Sequence, residues 1–162
     1  AALGPRSRSI FPAPPAFVLD PQWSDASHAE INRECRRRYG AGLSAQSHSL
    51  IGKIREVNAL ARSHPSNRIV EAHPELTFRA MNADTPLAHS KKSWRGFHQR
   101  RDLLSQHGID LPNRFSGPAD CVAGDDLLDA AAMAWTAHRL ARGLAKSFPQ
   151  HLPSANTTAI WY

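Results

Sequence analysis

The sequence is poor in cysteine and contains no long apolar run. Cys35 and Cys121 are its only two cysteines, and they lie far apart without forming a Cys-x-x-Cys pair. A disulfide framework and a zinc knuckle are therefore not expected, and we predict reduced thiols in a cytoplasmic protein. No apolar run approaches the length that crosses a bilayer, so a membrane partner is not expected either.

Several enzyme motifs are also missing from the 162 residues. There is no glycine-rich phosphate loop and no His-Glu-x-x-His pattern, which excludes P-loop enzymes and helical zinc metalloproteases. His73-Pro74-Glu75 is similar to the His-x-Glu of zinc-dependent deaminases, but that chemistry needs a downstream Pro-Cys-x-x-Cys. Cys121 stands alone after it, so the deaminase interpretation fails on the missing thiolates.

Acidic residues are outnumbered by basic ones. The chain has 14 Asp and Glu against 20 Lys and Arg, which gives a formal net charge of +6 at pH 7. This excess favours nucleic acid or another polyanion as a partner and says nothing about the fold. Lys91, Lys92 and Arg100 belong to the most basic stretch. They either contact phosphate groups or form a solvated helix face, and the sequence leaves both alternatives open.

The pattern of apolar residues predicts a helix-rich α/β fold in one domain over residues 1–162. Residues 1–22 are rich in proline and predict an extended lead segment. Strands are predicted at about 68–73 and 158–162, where β-branched residues cluster. Serine or aspartate caps, a proline at a first helical position, and terminators such as Gly40 and Gly108 predict helices over 24–39, 44–62, 74–81, 90–107 and 125–142.

The most informative stretch is Glu71-Ala-His-Pro-Glu75, where an apolar strand runs into a proline. Glu71 and His73 are expected to project to one face, with Glu75 just beyond the strand end. A glutamate inside an apolar strand is costly to bury unless it is paired. Glu71 is therefore either a metal ligand or the partner of a basic residue such as Arg68. His73 is expected to form hydrogen bonds around the proline rather than to bind a metal ion.

A second acidic group, Asp125, Asp126 and Asp129, opens the last long helix. Spacings of three and four residues let Asp129 share a helix face with either neighbour. Convergent carboxylates suit hard cations such as Mg²⁺ or Mn²⁺. Helix capping explains Asp125 equally well, whereas Asp129 lies a full turn inside the helix. We therefore favour Asp129, and then Asp126, as metal ligands.

Three motifs follow one another in a specific order along the chain. They are Glu71-Ala-His-Pro-Glu75, Ser90-Lys-Lys92 with Gly96 and Arg100, and Asp125-Asp-Leu-Leu-Asp-Ala130 with Trp135-Thr-Ala137. Together they resemble the domain of unknown function 429 family, and the resemblance extends over nearly the whole chain.

Members of that family are regarded as predicted nucleases of ribonuclease H-like fold, a mixed sheet flanked by helices with an acidic metal site. The resemblance implies that Glu71, Asp126 and Asp129 are the catalytic and metal-binding residues, with Mg²⁺ or Mn²⁺ as cofactor. Two metal ions then activate water and stabilise the leaving oxygen of a phosphodiester. The resemblance also implies that Lys91, Lys92 and Arg100 contact the phosphate of a nucleic acid or other phosphoester substrate.

The resemblance also implies that the chain is incomplete. Family members begin with a strand hairpin whose first strand carries an aspartate, and this hairpin has no counterpart from Ala1 onward. We therefore expect the C-terminal portion of a ribonuclease H-like domain, inactive by itself. The rival hypothesis is a non-catalytic domain whose basic helices bind nucleic acid or protein and whose acidic residues only cap and pair. A degenerate fragment without activity is the third alternative.

Overall fold

The computed structural model describes residues 13–64, 69–150 and 159–162. These residues form two compact units, one up to Ile69 and the other from Val70 onward. Both units are helix-rich and the second also contains a small sheet, so the predicted α/β class is confirmed. None of the helices in these ranges is long and apolar enough to span a membrane.

The unit up to Ile69 is built from short helices around one apolar cluster. Its described residues begin with two 3₁₀ helices, Ala16–Leu19 and Pro21–Trp23, where an extended lead segment was predicted; residues 1–12 of that segment lie outside the described residues. Three α-helices follow: α1 (His28–Tyr39), α2 (Ala45–Ser49) and α3 (Ile51–Ser63). Their buried core consists of Phe17, Val18, Ile31, Cys35, Leu43 and Ile51.

The helix boundaries in this unit depend on local capping. The Ser27 side chain accepts a hydrogen bond from the Glu30 N–H, and the Glu30 carboxylate accepts one from the Ser27 N–H. This reciprocal capping box starts α1 at His28, so the predicted cap at Ser24 was wrong. Gly40 ends α1 with a φ of 70°, as predicted. The helix predicted over 44–62 is divided into α2 and α3.

The unit from Val70 onward places three α-helices beside a small sheet. The helices are α4 (Pro74–Met81), α5 (Trp94–Gln106) and α6 (Gly124–Ala141), with a 3₁₀ helix at Gly117–Cys121. The strands are β1 (Glu71–Ala72), β2 (Ser147–Phe148) and β3 (Ile160–Trp161), in the order β1-β3-β2. β1 runs parallel to β3, with Glu71 opposite Ile160, and β2 runs antiparallel to β3.

Both predicted strands are present, but they are shorter than predicted. Arg68 and Thr158, at the outer ends of the predicted strands, lie outside the described residues. Glu71 is exposed, so it does not carry the cost of burial that an apolar strand would impose on a glutamate. The reason is that β1 is only two residues long and lies at the edge of the described sheet. β2 was not predicted, because two residues carry no readable alternation of apolar and polar side chains.

Apolar residues of the three helices, with Leu87 from the segment between α4 and α5, form the core of this unit: Phe78, Met81, Leu87, Leu103, Leu104, Leu128, Ala131 and Ala132. Pro74 takes the first position of α4, and the His73 side chain caps the helix by accepting from the Glu75 N–H at 3.2 Å. The predicted helix at this position is confirmed. Thr77 of α4 and Thr136 of α6 are both buried, and their hydroxyl oxygens lie 2.7 Å apart. This hydrogen bond joins α4 to α6 inside the core.

Candidate acid–base site

Two lysines that precede α5 contact two aspartates of α6. Asp125 and Asp129 lie one helical turn apart and share a face of α6. Lys91 Nζ lies 2.5 Å from Asp129 Oδ2 and 3.4 Å from Asp125 Oδ2. Lys92 Nζ lies 2.7 Å from Asp125 Oδ2. Lys91 therefore bridges both aspartates, and we call these four residues the acid–base cluster.

The environments of the two aspartates shift their pKa values in opposite directions. The hydrogen bond from Lys92 lowers the pKa of Asp125, and Lys91 adds to this effect. Burial raises the pKa of Asp129, and the hydrogen bond from Lys91 only partly offsets that rise. Asp129 Oδ1 is buried and has no hydrogen-bond partner among the described residues. Asp129 therefore holds a proton more strongly than an ordinary aspartate.

Lys91 is the fixed cation of the cluster. Burial acts to lower its pKa, but hydrogen bonds and charge attraction from Asp129 and Asp125 outweigh burial, and the pKa is raised. Both members of the Lys91–Asp129 pair thus have raised pKa values. The two shifts are compatible. Lys91 is stabilised as a cation by two carboxylates, whereas Asp129 is half-buried and shares this one lysine with Asp125, so burial dominates its pKa. Lys91 is therefore protonated at neutral pH.

His73 lies within electrostatic reach of the cluster. Burial lowers its pKa, and the negative charges of Glu75, Asp129 and Glu71 only partly oppose this shift. His73 Nδ1 accepts the hydrogen bond from the Glu75 N–H, which requires that this nitrogen carry no proton. The imidazole is therefore neutral near pH 7 and is able to accept a proton.

Glu75 and Arg100 form a buried ion pair next to the cluster. Arg100 Nη2 lies 2.7 Å and 2.8 Å from the two carboxylate oxygens, and Arg100 Nη1 donates to the carbonyls of His89 and Gly96. The arginine is 0% exposed. This placement does not fit the predicted phosphate contact at Arg100, because protein acceptors already surround its guanidinium.

The three carboxylates predicted to bind a metal ion do not converge. Asp129 belongs to the cluster, whereas Glu71 and Asp126 are exposed. Within residues 13–64, 69–150 and 159–162, no group of three or more His, Cys, Asp or Glu side chains is placed to hold a metal ion. The Lys91 ammonium lies between Asp125 and Asp129 instead. The described residues therefore do not fit the three-carboxylate site, and Mg²⁺ or Mn²⁺ stays a prediction.

A comparison with protein families places these residues in a known group. The family model described as "Protein of unknown function (DUF429)" matches residues 1–154. The chain belongs to the DUF429 family. The resemblance predicted from the motifs is thereby confirmed, while the ribonuclease H-like fold and the truncation stay predictions. Searches of curated proteins and of solved structures found no match to this DUF429 chain.

Sequence reasoning missed the partner of Asp125 in this DUF429 chain. Helix capping was one of the two roles considered for Asp125, but the N-cap is Ala123, which makes no side-chain cap hydrogen bond. The Asp125 carboxylate is bound to Lys92 and Lys91 instead. Opposite charges in the Ser-Lys-Lys and Asp-Asp-x-x-Asp motifs were the available signal. Lys91 and Asp129 are 38 residues apart, however, so local spacing does not reveal that they meet.

Gly96→Ala should destabilise the turn that carries the two lysines. A methyl group at Gly96 would lie 1.9 Å from the Ser90 carbonyl oxygen and 2.6 Å from its carbonyl carbon. These are backbone atoms, which cannot move aside as easily as the end of a flexible side chain. We expect a loss of about 1–3 kcal/mol in the free energy of unfolding, measured by urea denaturation. Gly52→Ala is the matched control, because nothing lies within 4 Å of a methyl group there, and it should not lower stability. Equal stability of both variants would contradict the close approach at Gly96.

Proposed function

We propose that this DUF429 chain processes a phosphoester by acid–base chemistry at Asp129 and Lys91, as a nuclease or a related phosphoryl-transfer enzyme. The observation that carries the proposal is the contact of Lys91 Nζ with Asp125 and Asp129, one helical turn apart, which leaves Asp129 Oδ1 buried without a partner among the described residues. These environments shift the pKa values of the two aspartates in opposite directions. Environments that separate the pKa values of neighbouring carboxylates are typical of acid–base catalysis. The family description names no activity, so the proposal rests on the site itself.

Two residues of the cluster, and His73 near it, have roles that the structure supports. The Asp129 side chain is 24% exposed and its pKa is raised, so it is able to exchange a proton with a bound substrate. The Lys91 ammonium is placed to stabilise the negative charge that develops on a phosphate group. Neutral His73 is a second proton acceptor nearby. No step of this proposal passes through a metal ion.

The proposed substrate is nucleic acid or another phosphoester, and the proposed location is the cytoplasm. The formal net charge of +6 supports a polyanionic substrate. Cys35 and Cys121 form no disulfide, in keeping with a reducing compartment. Mg²⁺ or Mn²⁺ remains the predicted cofactor from the family resemblance, and the assay described below tests it directly.

A non-catalytic nucleic-acid-binding domain is the second candidate. It is favoured by the observation that Asp125, Asp129 and Glu75 each have a basic partner. In that case the acidic residues only pair, and the free basic side chains bind phosphate. Binding should then fall steeply with salt and show no response to divalent ions.

A cleavage assay with the 162-residue chain separates the two candidates. Labelled single-stranded and duplex DNA and RNA, and a chromogenic phosphodiester, are incubated with the protein in Mg²⁺, in Mn²⁺ or in EDTA. The resemblance implies an inactive fragment, but the acid–base cluster lies wholly within this chain, so we expect cleavage of at least one substrate. Lys91→Met should reduce it about 100-fold, because the charge next to the phosphate is removed. Cleavage that persists in EDTA supports Lys91 as the only cation needed. No product under any condition, together with salt-sensitive oligonucleotide binding, contradicts the enzyme and supports the binding domain.

A further inference from the structure

An exposed tryptophan lies beside the acid–base cluster. Trp94 is 80% exposed, the largest exposed fraction among the exposed large hydrophobic side chains of the described residues. It occupies the first position of α5, directly after the N-cap Ser93, whose side chain accepts from the Gly96 N–H. Only two residues separate it from Lys91. A solvent-exposed tryptophan next to the cluster is available to contact a ligand.

Trp94 is held by a neighbouring ring. The His98 ring lies one helical turn later, with its centroid 4.0 Å from that of the indole and an interplanar angle of 60°. His98 in turn contacts the Phe97 ring, at a centroid distance of 5.5 Å. These contacts restrict the indole while leaving most of its surface in water. A ligand that stacks on Trp94 therefore meets a preorganised ring, which lowers the entropic cost of binding.

The surroundings of Trp94 are basic. Lys92 and Arg95 flank it and both are exposed, and Arg95 forms no ion pair with any described residue. Lys92 is bound to Asp125 but keeps most of its side chain in solvent. The sequence from Thr85 to Arg101 contains no acidic residue. An aromatic ring between cations is the combination that binds a base and its phosphates in single-stranded nucleic acids.

A protein partner fits this surface less well. Interface hot spots that contain tryptophan normally lie inside an apolar patch. Among the described residues between 70 and 121, Trp94 is the only exposed large hydrophobic side chain. Its neighbours Lys92 and Arg95 are charged instead. The charge pattern therefore favours a polyanion that contains rings.

We propose that Trp94, with Lys92 and Arg95, binds single-stranded nucleic acid by stacking on one of its bases. This inference rests on the proposed function, because it names the substrate class of the same site. A base stacked on Trp94 places the neighbouring phosphate near Lys92 and Lys91. The stacking surface thus positions the strand, and the acid–base cluster acts on its backbone.

The test measures binding in EDTA with the 162-residue chain carrying Asp129→Asn, which keeps the strand from being cleaved, a fluorescein-labelled oligothymidylate and, as a competitor without bases, inorganic polyphosphate. Trp94→Ala should weaken oligonucleotide binding about 5- to 150-fold, the range for the loss of one stacked base. Its affinity for polyphosphate should stay unchanged, and Trp94→Phe should retain most of the oligonucleotide affinity. Phe148→Ala is the matched control, since Phe148 is an exposed aromatic residue of the same unit at 54% exposure.

Two results would overturn the inference. One is wild-type oligonucleotide affinity in Trp94→Ala, which excludes stacking and leaves a protein partner to explain the exposed ring. The other is an equal loss of polyphosphate affinity in Trp94→Ala, which shows a general loss of charge binding. Trp94-dependent binding without any cleavage would refute the proposed enzyme and keep the stacking site. Cleavage with no effect of Trp94→Ala on binding would refute the stacking site and keep the proposed enzyme.

Discussion

Asp129→Asn should lower phosphodiester cleavage by at least 100-fold while leaving the fold intact. Asn keeps the size and one acceptor of the side chain but cannot exchange a proton, and acid–base catalysis by one group contributes about 10²- to 10⁴-fold. The folding cost is small, because burial already disfavours the charged carboxylate of Asp129. Initial rates on the best substrate, with circular dichroism of each variant, provide the measurement.

Asp126→Asn is the matched control for Asp129→Asn. It makes the same chemical change three residues earlier on α6, at an exposed side chain. The acid–base site predicts cleavage within about twofold of the unchanged chain, as for other surface changes away from a site. The metal site implied by the family resemblance predicts instead that Asp126→Asn and Glu71→Gln abolish cleavage as well. Full activity of Asp129→Asn contradicts both mechanisms.

Arg100→Met should cost about 3–5 kcal/mol in the free energy of unfolding, the largest stability effect that we expect. Glu75 is only 8% exposed, and its Oε1 lies 2.7 Å from Arg100 Nη2. The substitution removes this guanidinium and leaves the carboxylate buried without an ion partner. A buried charge without a partner is strongly unfavourable, whereas removal of both charges is often tolerated. Urea denaturation of Arg100→Met, Glu75→Leu and the double variant measures the coupling between the two residues.

Glu34→Gln is the control for the loss of an ion pair at the surface. Glu34 binds Arg37 and Arg38 on α1, and these hydrogen bonds lower its pKa to about 2. The arginine side chains are 68% and 35% exposed, so solvent screens the pairs, and the substitution should cost at most about 1 kcal/mol.

For the buried pair, a double Glu75→Leu/Arg100→Met variant as unstable as Arg100→Met alone would contradict the charge argument. The loss of stability would then be assigned to lost packing.

Elements with strong local signals were predicted well. Pro74 at a first helical position and glycines with positive φ at Gly40 and Gly108 depend on one residue's own backbone preference. The choice between two nearby serines was harder. Ser90 was expected to cap α5, but Ser93 does so, because Ser90 contributes its carbonyl oxygen to a turn that accepts from the Ser93 N–H. Both serines satisfy the sequence rule, and only the turn distinguishes them.

The candidate site was predicted only in part. Asp129, Lys91 and Lys92 were identified from charge and position, and the structure brings them together. Glu71 was expected to join them, but a short edge strand leaves it exposed. The Glu75–Arg100 pair joins residues 25 positions apart and forms because α4 packs on α5. Such contacts depend on how helices meet, which periodicity within one helix does not determine.

The hydrogen bond between Thr77 and Thr136 has a consequence for the cluster on the same helix. Asp129 and Thr136 are seven residues apart, so they lie on one side of α6, two turns from each other. Each residue rotates an α-helix by about 100°, and a slip of α6 by a single residue would therefore swing Asp129 away from Lys91. Ala131 and Ala132 are alike in shape and resist such a slip poorly. Together with the buried Leu128 and Leu140, two buried hydroxyls thus help to fix which side chain of α6 faces the lysine, although neither takes part in the chemistry.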